Sequence, residues 1–280
     1  MKILVTGGSG YLGTHVRNFF AADDFSRRSG RDILSDYDIG VIAEYDAVIH
    51  LAAHLDKDAD GAERSFQTNA DGAANVVRQM QPGSVLIYAS TKDVYAANAD
   101  SYPEVPESCP IDYEGQSALE WSKFIGERYA EYWARQRGVR TCIFRMSTVY
   151  ARPSSGNASG FVTHYVESVK RGWPIQLPLG GRPIRDILHV DDFSRACRAF
   201  IDSSQVYGLY NLGGGKQNAA PLRDIVATVG RMIELEPNIV EDDTMPPPVP
   251  VNYVSDLTRI REQLGWQPQI GFEEGLRSLL

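Results

Sequence analysis

Apolar residues in the first half of the chain fall into two alternating textures. Short unbroken runs, KILVT (2–6), DAVIHLAA (46–53), SVLIYAS (84–90) and VRTCIFRM (139–146), are rich in aliphatic and β-branched residues. Runs of that length and type predict strands buried on both faces. Between them, apolar positions recur every three or four residues. YLGTHVRNFFA follows the first run. Phe66, Ala70, Ala73, Val76, Val77 and Met80 share one side of a predicted helix over 66–80. Trp121, Ile125, Tyr129 and Trp133 form a stripe along a long predicted helix over 116–137. Strands alternating with helices predict an α/β fold, a parallel sheet doubly wound with helices on both faces.

The texture changes after Tyr150. ARPSSGNASG (151–160) reads as a loop, followed by a helix over 161–171 and a Gly/Pro-rich stretch, GWPIQLPLGGRPIRD (172–186). Helices over 191–203 and 222–234 and a short rigid connector, PPPVP (246–250), complete the chain. The expected organisation is a dinucleotide-binding domain over 1–150, with 185–205 packing back on it. Residues 151–280 form mainly a smaller C-terminal substrate-binding lobe roofing a cleft.

Composition narrows the classes. The 280 residues carry a net charge of −8, which argues against a nucleic-acid or anionic-membrane surface, because both need concentrated Lys and Arg. A small anionic ligand stays compatible, since a few local cations and helix amides suffice for it. Cys109, Cys142 and Cys197 are widely spaced and contain no CxxC, so neither a disulfide framework nor a zinc cluster is expected. His50 and His54 stand four apart without an acidic partner motif and read as non-metal residues. No apolar run spans a bilayer, and a strand leads directly into a glycine turn, so the expected location is cytoplasmic.

That turn, TGGSGYLG (6–13), places Gly7, Gly10 and Gly13 three apart, and Gly8, Gly10 and Gly13 also satisfy G-x-G-x-x-G. It follows a strand and opens a helix, the context in which such a turn lets backbone amides approach a pyrophosphate. The sheet is therefore of Rossmann type. Past the expected second strand comes DDFSRRSGRDIL (23–34). Ser26 falls where an acid often reads the adenosine ribose, and Arg27 and Arg28 suit a 2′-phosphate through bidentate contacts. This favours NADP over NAD. The alternative leaves both arginines in solvent and gives the ribose to Asp23 or Asp24.

On these residues the chain resembles an extended short-chain dehydrogenase/reductase of the nucleotide-sugar epimerase/dehydratase group. The resemblance runs nearly end to end, through TGGSGYLG, HLAA (50–53), Asn69 in QTNADGAANVV, STKDVYA (90–96), SKFIGE (122–127), FRMSTVYA (144–151), RDILHVDD (185–192) and LGWQP (264–268). It implies cofactor contacts from Gly7, Gly10, Tyr11, Leu12 and Gly13, and from Asp32 and Ile33 at the adenine. It implies further contacts from Leu51, Ala52, Ala53, Asn69 and Ser90. Thr91 matches the hydroxyl that hydrogen-bonds the sugar oxygen being oxidised or reduced. Lys123 matches the lysine that holds the nicotinamide ribose and lowers the pKa of a neighbouring phenol. Arg185 matches a sugar-nucleotide diphosphate ligand, with Lys92 and Thr148 also on the substrate side. Thr148 stands where many relatives have asparagine. A homodimer is implied, pairing through the long helix.

One departure bears on mechanism. The phenol belongs one helical turn before Lys123, and that position is Leu119. Three readings stay open. Asp93, Lys92 or Tyr113 replaces the tyrosine; Thr91 and a water suffice; or the protein binds its cofactor in a regulatory or scaffolding role with a disabled active site. The first two keep an NAD(P)-dependent epimerase, dehydratase or reductase working on a nucleotide-linked or related sugar.

Overall fold

The computed structural model describes residues 1–55, 57–114, 117–153, 160–240 and 244–280. Its first half contains β1 (Ile3–Thr6), α1 (Tyr11–Phe20), β2 (Asp23–Phe25), α2 (Asp36–Ile39) and β3 (Ala47–His50). It continues with α3 (Ala62–Ser65), α4 (Gly72–Gln79), β4 (Val85–Thr91), α5 (Ala118–Arg137) and β5 (Arg140–Met146). Then come β6 (Thr148–Tyr150), α6 (Phe161–Arg171), β7 (Ile175–Gln176), β8 (Ile184–His189), α7 (Val190–Asp202) and β9 (Tyr207–Leu212). The chain closes with β10 (Ala219–Pro221), α8 (Leu222–Ile233), β11 (Ile239–Val240), α9 (Thr258–Leu264) and α10 (Phe272–Arg277).

The four aliphatic runs become β1, β3, β4 and β5, each buried almost throughout. They join β2 and β9 in one six-stranded sheet of order β2-β1-β3-β4-β5-β9, and every adjacent pair is parallel. Chain progression reverses between β1 and β3, which opens a crevice at the carboxyl ends of the strands, where ligands of such sheets bind. Each face of the sheet carries its own apolar layer. Val5, Ile49 and Phe144 pack with Val16 of α1 and Phe193 and Phe200 of α7. Leu4, Val48 and Ile143 pack with Val76 and Val77 of α4 and Ala130 of α5. Fully burying one such side chain contributes about 1.5–3 kcal/mol.

Beyond residue 150 the chain therefore returns to this layer, with α7 against α1, with β9 on β5, and with Ile260 of α9 and Trp266 in the same apolar cluster. A separate apolar cluster unites α6, α8 and α10 with Ile187 of β8. The predicted loop over 151–160 lies largely outside the described residues, as does position 116, the expected start of the long helix.

Two elements differ from the periodicity. The helix expected over 66–80 is α3 and α4 joined by a wider, π-wound turn over Phe66–Asp71, where the Gly72 amide donates to the Gln67 carbonyl five residues back. On α5 the buried face is Leu119, Ser122, Lys123, Gly126, Glu127, Ala130 and Ala134. The aromatic stripe lies on the other side, with Tyr129 38% exposed. Small residues let α5 approach the sheet closely, and that spacing excludes the large rings.

Among the described residues no helix is long and apolar enough to cross a membrane. All three cysteines are unpaired and buried.

Candidate active site

The carboxyl ends of β1, β3 and β4 border one cleft of about 830 Å³, which runs from the end of β2 to the first turns of α5. At two glycines of the β1–α1 turn and the start of α1 there is no room for a side chain. Gly7 has a φ of +68°, and a Cβ on it would lie 2.8 Å from the Ala52 amide nitrogen. A Cβ on Gly13 would lie 2.1 Å from the Gly7 carbonyl oxygen. Gly10 caps α1 without a side-chain acceptor, so the first amides of the helix keep their free donors. Gly7, Gly10, Tyr11, Leu12 and Gly13 all border the cleft.

β2 ends at Phe25, which puts Ser26 just beyond the strand and on the cleft. Neither aspartate of β2 borders it. Asp23 accepts from the Tyr45 hydroxyl at 2.8 Å. Asp24 accepts from the Ser9 and Ser26 hydroxyls and pairs with Arg17 at 3.3 Å. Arg27 and Arg28 line this end of the cleft together with Arg31, which sequence reasoning missed because no motif marks it. Arg28 donates to the Ser9 carbonyl at 3.0 Å. Asp32 and Ile33 follow on the same wall, as do Leu51, Ala52 and Ala53 beyond β3.

Asn69 departs from expectation. It is wholly buried and off the cleft wall. Its Nδ2 donates to the His54 carbonyl and to Ser122 Oγ, each at 2.9 Å, and its Oδ1 accepts the His54 amide at 2.8 Å. With three of its positions taken by protein partners, its side chain ties the loop after β3 to α5.

At the far end of the cleft, Thr91 finishes β4, and its hydroxyl accepts the Asp93 amide at 3.1 Å. Ser90, also on the cleft, donates its hydroxyl to Glu127. From the opposite wall α5 presents Leu119 and Lys123, one turn apart on the same face. A capping box between Ser117 and Glu120 fixes where that helix starts. Lys123 is only 4% exposed. Its Nζ donates to the Ala89 carbonyl at 2.8 Å and lies 5.4 Å from the Tyr88 ring centroid. Glu127, one turn on, is occupied by Arg145 at 2.9 and 2.7 Å. Burial therefore pushes the Lys123 ammonium down to about 8, with only partial opposition from Glu127.

Asp93 sits between two ammonium groups, Lys92 in direct contact and Lys57 at 3.8 Å. Burial works to raise its carboxyl, but the two cations outweigh burial and hold it below the ordinary range. Lys57 also pairs with Glu120 at 2.6 Å. Sequence reasoning missed Lys57 and Glu120, because their partners lie far away along the chain.

Three expected substrate contacts lie elsewhere. Arg185 is 7% exposed, and its guanidinium is spent on backbone carbonyls: Ile184 at 2.7 Å, Val251 at 2.8 Å and Pro250 at 2.9 Å. It fastens two chain segments together. Lys92 is turned under the Tyr253 ring, 5.1 Å from its centroid, and is committed to Asp93. Thr148 lies within β6, between Ser147 and Val149, which do border the cleft. Tyr113 packs against Trp121 and Phe124 and is 57% exposed, away from the reacting end.

His50 is neutral: burial pushes it down to about 3, and its Nδ1 meets Thr6 Oγ1 at 2.8 Å. Among the described residues no group of His, Cys, Asp or Glu could hold a metal ion. A bare glycine cradle at a helix N-terminus, a guanidinium cluster at one end and a buried ammonium at the other fit a nicotinamide dinucleotide.

The sequence profile of the NAD dependent epimerase/dehydratase family matches residues 3–213. A dTDP-glucose 4,6-dehydratase of Haemophilus influenzae is 29% identical over 328 aligned residues, covering 99% of this chain and 96% of the relative. A CDP-paratose 2-epimerase of Salmonella typhi is 26% identical over 340 residues, covering 100% of this chain and 98% of the relative. Among solved structures, a UDP-glucose 4-epimerase of Thermotoga maritima, determined with UDP-glucose, superposes with a TM-score of 0.86. It is 23% identical and covers 100% of this chain and 97% of its own, a likeness of fold.

Proposed function

Because the chain belongs to the NAD dependent epimerase/dehydratase family, we propose that it is an enzyme that binds NADP in preference to NAD and transfers hydride at a carbon of a nucleotide-linked or related sugar. The observation that carries this reading is one cleft with a tight glycine turn at one end and Thr91, Asp93 and Lys123 at the other. The bound dinucleotide would supply the hydride acceptor or donor. Arg27, Arg28 and Arg31 would hold its 2′-phosphate through guanidinium forks, beside Ser26 where an acid would repel that group. The glycine-turn amides would bind the pyrophosphate, and Lys123 the nicotinamide ribose hydroxyls. Thr91 would donate to the reacting sugar oxygen. Asp93, a fixed anion between two cations, would accept a hydrogen bond from a second sugar hydroxyl.

The sugar class is supported by the names of the relatives, a dTDP-glucose dehydratase and a CDP-paratose epimerase. The outward aromatic face of α5, with Tyr129 and Tyr132 exposed, supports pairing of two copies through that helix; light scattering would give the state. Leu119 supports a second reading, a cofactor-binding regulatory or scaffolding protein without turnover. A panel of nucleotide sugars added to the NADP-loaded protein separates the two, with nicotinamide absorbance as readout. Reduction by a member of the panel is expected. Silence across it, with cofactor retained, leaves the binding-protein reading.

A further inference from the structure

Oxidation of a sugar hydroxyl releases a proton, and Leu119 exchanges none. It is 7% exposed and lines the cleft where a phenol would stand. Tyr113 is held on the outer face by Trp121 and Phe124, with ring centroids 5.8 Å away in each case. Asp93 is flanked on both sides by ammonium groups, and a carboxylate stabilised in this way is a poor base towards an alcohol.

Lys123 is placed differently. It is a buried ammonium on the cleft wall, and among the described residues no carboxylate is ion-paired with it. The charged and titratable groups that face it come from four elements. Glu127, on its own helix, is committed to Arg145 of β5 and to Ser90. His50 of β3 is neutral and bonded to Thr6. Tyr88 of β4 donates its hydroxyl to the Asn69 and Lys123 carbonyls, and Asp93 beyond the end of β4 is held by Lys92 and Lys57. One protein hydrogen bond, to the Ala89 carbonyl, orients Nζ.

Resting on the oxidoreductase reading above, we infer that Lys123 itself takes the proton that a phenol would otherwise receive. Nζ enters the step as the amine. The substrate O–H bond breaks and its proton forms an N–H bond on Nζ. The C–H electron pair leaves with its hydrogen as hydride to the oxidised nicotinamide coenzyme, and C=O forms. The reverse reaction returns the proton from the ammonium. Burial supports the assignment: with the group pushed down to about 8, roughly one molecule in ten carries the amine at neutral pH.

Two measurements on the full chain test this. The first is NADP affinity, read by protein fluorescence across the neutral to alkaline range. In the wild type it should weaken by up to about tenfold per pH unit above about 8, as the ribose-binding ammonium is lost. In Lys123→Arg, which keeps its proton throughout, it should stay flat. The second is single-turnover reduction of bound NADP by the nucleotide-sugar panel. The wild-type rate should keep rising with pH beyond 8, because an ammonium that holds the ribose gives up its proton at higher pH in the loaded protein than in the free one. Lys123→Arg should lose roughly a hundredfold in rate, within the usual span for a proton-transfer group, and keep NADP affinity near wild type at neutral pH. Asp93→Asn should keep that alkaline rise. Lys123→Gln serves if the arginine variant misfolds.

A Lys123→Arg protein of wild-type rate overturns the inference, as does an alkaline rise that vanishes in Asp93→Asn, or wild-type affinity that ignores pH. These results leave the enzyme reading intact. A panel silent in the wild type overturns the enzyme reading and the proton transfer together.

Discussion

A buried, unpaired ammonium is a stability cost retained at a working site. Lys123 is pushed from 10.5 to about 8 by burial, a differential of on the order of 3 kcal/mol against the folded charged form. The folded group binds protons more weakly than the unfolded one. The cost is therefore present in full below about 8 and fades as pH rises towards 10.5. Lys123→Met should raise stability by about 2–3 kcal/mol at neutral pH, an advantage that shrinks at alkaline pH, while weakening cofactor binding. Urea titrations at two pH values check the sign. At the other end of the cleft, Arg27→Ala with Arg28→Ala should weaken NADP roughly tenfold or more, and NAD little, since each charge-assisted contact contributes about 1.5–3 kcal/mol. Equal losses for the two coenzymes would show that these groups do not read the 2′ position.

At the scale of elements, two helices carry the site, and both owe their placement to local chemistry. α1 begins in bare glycine backbone because nothing larger fits between Gly7 and Ala52. α5 begins at Ser117, whose hydroxyl accepts the Leu119 amide at 3.3 Å while Glu120 accepts the Ser117 amide at 3.0 Å. Glu120 also holds Lys57, so the helix start is bound to the loop after β3. Ser117→Ala should cost about 1 kcal/mol. It should also speed amide exchange in the first turn of α5 and loosen the Lys123 wall. Exchange confined to other elements would show that the cap does not govern this turn. The π-wound segment between α3 and α4 has a related use: it brings Gln67 and Thr68 to the cleft while Asn69 turns inward to His54 and Ser122.

Across the whole molecule, the parallel sheet layer and the cluster of α6, α8 and α10 are joined by polar ties. The Tyr11 hydroxyl, at the glycine turn, donates to the Ala151 carbonyl at 2.7 Å and lies 2.8 Å from Thr163 Oγ1 of α6. Arg185 binds β8 to the 250–251 segment through three carbonyls. Arg185→Met would take this donor from the Val251 and Pro250 carbonyls, while the Ile184 carbonyl keeps the Tyr253 amide at 3.1 Å, and should cost about 2–4 kcal/mol, read from urea unfolding. A variant as stable as the wild type would show that the carbonyls find other partners.

The sheet, its parallel order of strands and helices, and the cofactor turn were legible in the chain itself. Aliphatic runs, helical spacing and a glycine turn after a strand are encoded within a few residues, so local sterics and burial decide them. The same holds for Ser26 beyond β2 and for Leu119 one turn before Lys123. What a polar side chain does was not legible in this way. Arg185, Asn69 and Lys92 have suitable chemistry for ligand contacts, yet Arg185 donates to three carbonyls, Asn69 to the His54 carbonyl and the Ser122 hydroxyl, and Lys92 to the Asp93 carboxylate. Lys57 and Arg31 carry no motif and still reach the site. Each outcome depends on which partners the tertiary structure brings within hydrogen-bonding distance from remote parts of the chain, because a buried donor is satisfied by whatever acceptor the packing delivers.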